Sequence, residues 1–125
     1  MRVLLDTHIF LWFLSDDKRL KSRARNHIEA ADEVYVSAAS VWEAAIKTRL
    51  GKLNAQAAVL AAEIVGVGFL ELSVRAAHAI ALQTLPLLHR DPFDRMLVAQ
   101  AISESLHLLT ADVQLARYSS LVLRA

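Results

Sequence analysis

Four carboxylate side chains lie along the chain at positions where a metal site could form. Asp6 and Asp112 each follow a short apolar segment, Glu43 lies in a segment with helical character, and Asp94 follows Pro92. Carboxylates that are gathered in one place repel one another, and their pKa values rise unless a cation lies between them. The chain has no cysteine, so a metal would be bound through oxygen or imidazole. With oxygen ligands alone, Mg²⁺ and Mn²⁺ are the expected ions.

Such ions serve phosphate chemistry in proteins. In a two-metal arrangement, one ion activates a water molecule as the nucleophile and the other stabilises the leaving oxygen. No serine, cysteine or histidine nucleophile is then required. A covalent aspartate phosphatase is the rival enzyme class, with Asp6 as its nucleophile, but that class has a second aspartate two residues on, where this chain has His8. A protein that only binds RNA or a partner is the rival outside enzymology.

Each acid also has a structural explanation. Asp6, Asp94 and Asp112 stand near predicted helix starts, where carboxylates cap backbone N–H groups and interact favourably with the helix dipole. Glu43 could form an ion pair with Lys47, one helical turn further on. Capping does not explain why the acids follow strands at one side of a sheet, so the pattern leaves metal binding and capping both open.

Apolar segments with strand character alternate with segments of helical periodicity along the whole chain. We predict strands at residues 2–5, 34–36, 69–72, 106–110 and 121–123. We predict helices at residues 7–14, 19–31, 37–50, 55–65, 74–82 and 93–105. This alternation predicts an α/β fold of three layers, with a parallel sheet of four to five strands flanked by helices. In such sheets, sites form outside the carboxyl ends of the strands, which is where the four acids are expected.

The composition sets limits on the remaining possibilities. The 125 residues fit one domain spanning residues 1–125, and a net charge of +1 requires local basic patches for any binding of nucleic acid. The hydrophobic share of 55% favours an apolar helix surface covered by another chain. The most apolar window, residues 55–74, contains glycines and charged side chains, so we expect a cytoplasmic protein with no membrane span.

Four stretches of the sequence resemble PIN-domain ribonucleases and, among them, the VapC toxins of bacterial toxin–antitoxin pairs. They are LLDTH at 4–8 with LW at 11–12, VSAASVWE at 36–43, HRDPFDRMLVAQA at 89–101, and LTAD at 109–112. The stretches are ordered and spaced as in that family, and together they span nearly the whole chain. A single Leu-Asp-Thr would be a weak signal, whereas four stretches in order are specific.

The resemblance implies a function and a set of site residues. The family's acidic ligands fall on Asp6, Glu43, Asp94 and Asp112, which would bind Mg²⁺ or Mn²⁺ and act in hydrolysis of RNA. The family also implies that the chain is the toxin of a type II toxin–antitoxin system, neutralised by a VapB-type antitoxin, and that it forms a homodimer. The apolar surfaces of helix 55–65 and of the helix carrying Trp42 are where we expect an antitoxin segment, although core burial gives the same pattern.

Hydroxyl groups stand beside the acids at Thr7, Ser37 and Thr110, where they could orient ligands or cap helices. Asp91 is expected to begin the turn at Pro92, although it could also support the metal site.

The other notable side chains receive structural roles or roles in binding phosphate. The histidines lack the i, i+4 spacing of a zinc site, so we predict structural or surface roles for His8, His27, His78, His89 and His107. We predict packing roles for Trp12, Phe13 and Trp42. The candidate phosphate contacts are Lys47, Arg49, Lys52, Arg90 and Arg95.

Overall fold

Five parallel strands form one sheet, which six helices cover. The structure is a computed structural model and describes residues 1–125. The strands are β1 (Arg2–Leu5), β2 (Glu33–Ser37), β3 (Leu70–Leu72), β4 (His107–Thr110) and β5 (Val122–Arg124). The helices are α1 (Thr7–Leu14), α2 (Ser22–Ala30), α3 (Ala38–Arg49), α4 (Ala57–Gly66), α5 (Ala76–Gln83) and α6 (Pro92–Glu104), and a 3₁₀ helix (Val113–Arg117) precedes β5. The predicted α/β fold with a parallel sheet is confirmed.

The strand order places the carboxyl ends of three strands side by side. The order is β3-β2-β1-β4-β5, and every neighbouring pair is parallel. Leu5 at the end of β1 is in register with Val36 of β2 on one side and with Leu109 of β4 on the other. The residues that follow β1, β2 and β4 therefore start from the same edge of the sheet, as expected for an α/β site.

Strand β1 is anchored from both faces of the sheet. Val3 and Leu5 are fully buried in a core that also holds Ile9 of α1 and Ile64 of α4, whereas Leu4 points to the opposite core, against α6. Successive strand residues point to opposite faces, and each fully buried aliphatic side chain contributes about 1.5–3 kcal/mol. This double anchoring fixes the backbone of the strand from which the next residue, an acid, projects.

Helix α2 begins later than predicted, because residues 17–20 form a separate turn before it. The Asp17 carboxylate accepts hydrogen bonds from the backbone N–H of Arg19, at 2.9 Å, and from its guanidinium, while the N–H of Leu20 bonds to the Asp17 carbonyl. The guanidinium of Arg19 also lies 5.1 Å from the ring centroid of Trp12. The helix therefore begins at Ser22, and the prediction of a start at residue 19 was wrong.

The remaining predicted helices begin and end within two residues of the observed bounds, and the strands within one. None of the helices combines the length and the apolar character needed to span a bilayer.

Candidate metal centre

Asp6 stands at the end of β1 and is almost fully buried, with 3% of its surface exposed. Its Oδ2 accepts a hydrogen bond from the Thr110 hydroxyl at 2.7 Å, whereas its Oδ1 is buried without any partner. The side chain makes no capping bond to α1, so the capping explanation is wrong for Asp6. Burial raises the pKa of this carboxyl, and the nearby charge of Glu43 raises it further.

Glu43 projects from α3 and is buried as well, at 2% exposure. Its Oε1 lies 2.8 Å from the Thr7 hydroxyl, and its Oε2 lies 2.7 Å from the ammonium of Lys47. This bond to Glu43 is the main reason that the pKa of Lys47 is raised. The ion pair weighed from the sequence is therefore present. It is not the whole role of Glu43, because the Glu43 charge also raises the pKa values of Asp6 and Asp94.

Asp94 lies in the first turn of α6, but another residue caps that helix. Asp91 is the N-cap, and its Oδ1 accepts from the backbone N–H groups of Phe93, at 2.8 Å, and Asp94, at 3.1 Å. The prediction that Asp91 begins the turn at this helix is confirmed, and the Asp94 carboxylate has no capping role. Burial raises the pKa of Asp94 to about 7, helped by the charges of Asp6, Asp91 and Glu43.

The buried Asp6 and Glu43 and the partly buried Asp94 thus form one group of acids, which we call the acidic centre. The charges of Asp6 and Glu43 raise the pKa of Asp94, and the charge of Glu43 also raises the pKa of Asp6. Ionised carboxylates that lie close together destabilise one another unless a cation offsets their charge. Their oxygens are the ligands that hard divalent cations prefer, and the unpartnered Oδ1 of Asp6 is a free ligand atom. The donor set therefore fits Mg²⁺ or Mn²⁺.

Asp112 lies at the rim of the acidic centre and caps the 3₁₀ helix. Its Oδ1 accepts from the backbone N–H of Gln114 at 2.9 Å, and its own N–H bonds to the Thr110 hydroxyl at 3.0 Å. Capping is therefore confirmed for Asp112. Its Oδ2 lies 2.9 Å from Nε2 of His89, and the same nitrogen lies 3.5 Å from Oδ2 of Asp94.

His89 is the residue at this site that the sequence prediction missed. Its side chain is only 15% exposed and stands between Asp94 and Asp112. The absence of i, i+4 spacing excluded a helical zinc motif but did not bear on a histidine brought in by a loop. The useful signal was its position in the loop that leads into the helix carrying Asp94.

The hydroxyl groups beside the acids have two different roles, which are orienting the carboxylates and capping a helix. Thr7 and Thr110 contact the carboxylates of Glu43 and Asp6, so both are placed to orient ligands. Ser37 instead caps α3 by accepting from the N–H of Ala39 at 3.0 Å.

Among the candidate phosphate contacts, Arg95 is engaged elsewhere: its Nη2 lies 3.3 Å from the Leu85 carbonyl and its Nε is buried. Lys47 and Lys52 instead line a small cleft of about 240 Å³ beside Glu43. Of the two, Lys47 forms the ion pair with Glu43.

Two of the aromatic residues pack as predicted, and one is exposed. The ring of Phe13 lies 5.1 Å from that of Phe69, and Trp12 packs against the core beneath the guanidinium of Arg19. Trp42 is 62% exposed and meets Phe93 edge-on, with ring centroids 5.0 Å apart. These last two rings line an apolar pocket of about 430 Å³.

Comparisons with known proteins identify the family to which this fold belongs. The profile of the PIN domain family matches residues 3–121, and the chain belongs to this family. The chain is 36% identical over 119 residues to ribonuclease VapC22 of Mycobacterium tuberculosis, a match that covers 90% of this chain and 88% of that protein.

Solved structures share the fold at low sequence identity. The chain aligns with the structure of VapBC2 from Rickettsia felis bound to a DNA fragment from their promoter, with a TM-score of 0.68, 14% identity and coverage of 100% of this chain and 98% of that one. It aligns with FitAcB from Neisseria gonorrhoeae with a TM-score of 0.65, 17% identity and coverage of 98% and 96%. At these identities the likeness concerns the fold alone.

Proposed function

We propose that this chain is an endoribonuclease that depends on Mg²⁺ or Mn²⁺ and acts as the toxin of a type II toxin–antitoxin pair. Asp6, Glu43 and Asp94 hold the cation, and Asp112 assists from the rim. The observation that carries the proposal is the buried Oδ1 of Asp6, an acceptor without a protein partner beside the acids Glu43 and Asp94. The name of the M. tuberculosis relative, a ribonuclease, supports the choice of RNA.

The protein's own part in the reaction is to hold the ligands and the substrate. When bound, a divalent cation polarises a phosphoryl oxygen and makes water a stronger nucleophile. Thr110 and Thr7 fix the carboxylates of Asp6 and Glu43 at hydrogen bonds of 2.7 and 2.8 Å, so that little reorganisation is needed when the cation binds. In this proposal Lys47, beside Glu43, contacts a substrate phosphate.

The test is cleavage of RNA by the purified chain. Cleavage should stop with EDTA and return with Mn²⁺, and Asp94→Asn should abolish it. Glu29→Gln is the matched control, because this acid is exposed on α2 and lies outside the acidic centre. Metal-dependent cleavage by Asp94→Asn at the wild-type rate would remove Asp94 from the proposed site. A chain that binds RNA without cutting it under any metal condition would support the rival binding function.

The proposed antitoxin partner binds in the groove between α1 and α4. This groove, of about 800 Å³, is lined by apolar side chains such as Leu11 and Val59 and by the charged Arg19. It shares Leu53 and Lys52 with the cleft beside Glu43, so a helical segment lying in the groove would reach the acidic centre. The structural neighbours VapBC2 and FitAcB are consistent with a protein partner for this chain.

A pair of substitutions on α4 tests this groove. Val59 and Val65 are both exposed, at 55% and 74%, but only Val59 lines the groove. Val59→Asp should weaken binding of the VapB-type antitoxin while RNA cleavage continues, and Val65→Asp should leave binding unchanged. Equal binding by both variants, measured by calorimetry, would place the antitoxin elsewhere.

The proposed homodimer covers the apolar pocket around Trp42 and Phe93. The pocket is lined almost wholly by apolar side chains, which is typical of surfaces that another chain covers. Trp42→Glu should shift the mass measured by light scattering from dimer to monomer. Leu50→Glu, which changes an exposed side chain at the end of the same helix but outside the pocket, should leave the dimer intact. A dimer in both variants would contradict this interface.

A further inference from the structure

The loop that enters α6 is tied to the 3₁₀ helix by a tyrosine. The hydroxyl oxygen of Tyr118 accepts hydrogen bonds from the backbone N–H of Leu88, at 3.1 Å, and of His89, at 2.9 Å. Tyr118 ends the 3₁₀ helix that Asp112 caps at its other end. One hydroxyl therefore holds the loop and the 3₁₀ helix in a fixed relation, with the His89 ring between Asp112 and α6.

The hydrogen bonds of the His89 ring determine which nitrogen carries the proton. Nδ1 lies 3.0 Å from the backbone nitrogen of Asp91, which can only donate. Nδ1 must therefore be the acceptor, and the neutral ring carries its hydrogen on Nε2. The Nε2–H group faces Oδ2 of Asp112 at 2.9 Å and lies 3.5 Å from Oδ2 of Asp94.

The position of His89 would allow it either to bind a metal ion or to hold a carboxylate in place, and the proton assignment distinguishes these two roles. A histidine between two carboxylates resembles a metal ligand, and the three side chains have ligand atoms within 4.8 Å of one another. A ring nitrogen that carries a proton has no lone pair for a metal ion, however. In the observed arrangement neither nitrogen is free, because Nδ1 accepts from the chain and Nε2 donates to a carboxylate.

We infer that His89, held in place by Tyr118, is a positioning residue that fixes the carboxylate of Asp112 beside Asp94 through its Nε2–H group and does not itself bind the metal. The inference rests on the proposed function, since it assigns the role of supporting ligands of that same site. Histidine N–H groups and carboxylates that support metal ligands typically change metal affinity or activity 10–100-fold when they are removed.

The proton assignment is tested first, by nitrogen-15 NMR of the imidazole at a pH where the ring is neutral. We expect Nε2 to carry the proton in the metal-free protein and to keep it after Mg²⁺ is added. A proton on Nδ1, or loss of the Nε2 proton on addition of Mg²⁺, would overturn the inference in favour of His89 as a ligand. This measurement does not depend on nuclease activity.

Metal affinity then tests the positioning role, by calorimetry with Mn²⁺. His89→Leu should weaken Mn²⁺ binding by about 10-fold or more, and His89→Gln, whose amide N–H can replace Nε2–H, should recover much of that loss. Tyr118→Phe should also weaken binding, since it removes the hydroxyl that holds the loop. His27→Leu, on α2, is the control and should bind Mn²⁺ like the wild type.

The outcomes distinguish this inference from the proposed function. Wild-type affinity in His89→Leu, or no recovery in His89→Gln, would overturn the positioning role while leaving a metal-dependent nuclease in place. A wild-type chain that neither binds Mn²⁺ nor cleaves RNA would overturn the proposed function, and the positioning role with it.

Discussion

Two buried polar clusters occur in this molecule, and they differ in charge. The acidic centre brings Asp6, Glu43 and Asp94 together beyond the sheet edge. The second cluster lies between α5 and α6, where His78 and Gln100 are fully buried. Both contain polar atoms without partners: Asp6 Oδ1 in the first, and His78 Nε2 and Gln100 Oε1 in the second. Burial of an unpartnered polar atom is therefore not enough to identify a site.

The two clusters differ in the groups that surround their unpartnered atoms. In the second cluster, Nδ1 of His78 accepts from the backbone N–H of Arg75 at 3.0 Å, and the amide nitrogen of Gln100 lies 3.4 Å from the Ser73 carbonyl. These side chains thus bind backbone groups at and just before the start of α5. In the acidic centre the neighbours are charges of the same sign, which raise the pKa values of Asp94 and Asp6. Only the like-charged cluster requires a cation to be stable in its ionised form.

The largest effect that would test this comparison is loss of cleavage on removing one acid. Asp6→Asn should lower RNA cleavage by about 10²-fold or more, because catalysis that rests on fixed charges is lost with the ligand. The melting temperature of the metal-free variant should equal or exceed that of the wild type, since repulsion between acids is relieved. Circular dichroism and a cleavage assay measure the two. A variant that cuts RNA normally would mean that the acidic centre, like the second cluster, is structural.

The second cluster should give the opposite result. His78→Ala should lower the free energy of unfolding by about 2 kcal/mol, because it leaves a cavity and frees a backbone N–H at the start of α5. Cleavage per folded molecule should stay unchanged. Urea unfolding and the cleavage assay check both parts. If folded His78→Ala lost its activity, the distinction between the two clusters would not hold.

The acidic centre should make the free energy of unfolding depend on pH, with a change of about 1 kcal/mol or more in the metal-free protein. In the folded chain the pKa of Asp94 is raised to about 7 and that of Asp6 is also raised, whereas an unfolded aspartate titrates near pH ~4. Between these values the folded state binds more protons than the unfolded state. Metal-free protein should therefore lose stability as the pH rises from about 4 to about 7.

Urea unfolding in EDTA across that range measures this loss. The Asp94→Asn variant should show a flatter profile than the wild type, and saturating Mg²⁺ should restore the stability of the wild type at high pH. Identical pH profiles for the wild type and Asp94→Asn would show that the ionised carboxylate of Asp94 does not destabilise the folded chain.

The smallest expected effect concerns the ion pair at the edge of the acidic centre. With saturating Mn²⁺, Lys47→Ala should change the free energy of unfolding by less than about 1 kcal/mol, because the cation offsets the charge of Glu43. In EDTA the same substitution should cost more, since it leaves Glu43 buried without its ammonium partner. An equal cost in both conditions, measured by urea unfolding, would favour a purely structural role for the Glu43–Lys47 pair.

The fold could be predicted from the sequence because local patterns and packing agree. The apolar run of β1 is buried on both faces, and the helices that follow the strands carry periodic apolar residues. The start of α2 could not be predicted, because the turn at Asp17 depends on the bonds of one side chain to Arg19. Periodicity gives no information on such a competition between side-chain bonds and helix.

The candidate site could be predicted in part, for a similar reason. The positions after β1 and β4 follow from topology, so Asp6 and Asp112 could be placed near one edge of the sheet. The contact of His89 with Asp112 spans 23 residues and depends on how the loop closes onto Tyr118. The sequence also could not separate capping from ligand binding, since Asp112 caps its helix while Asp6 does not.

The most direct measurement is anomalous X-ray diffraction from a crystal of the chain soaked in Mn²⁺, which locates the manganese ions. The account predicts an anomalous peak in contact with the carboxylates of Asp6 and Asp94, with no bond to the ring of His89. Absence of a peak among the three acids at saturating Mn²⁺, or a peak bound elsewhere on the chain, would contradict it.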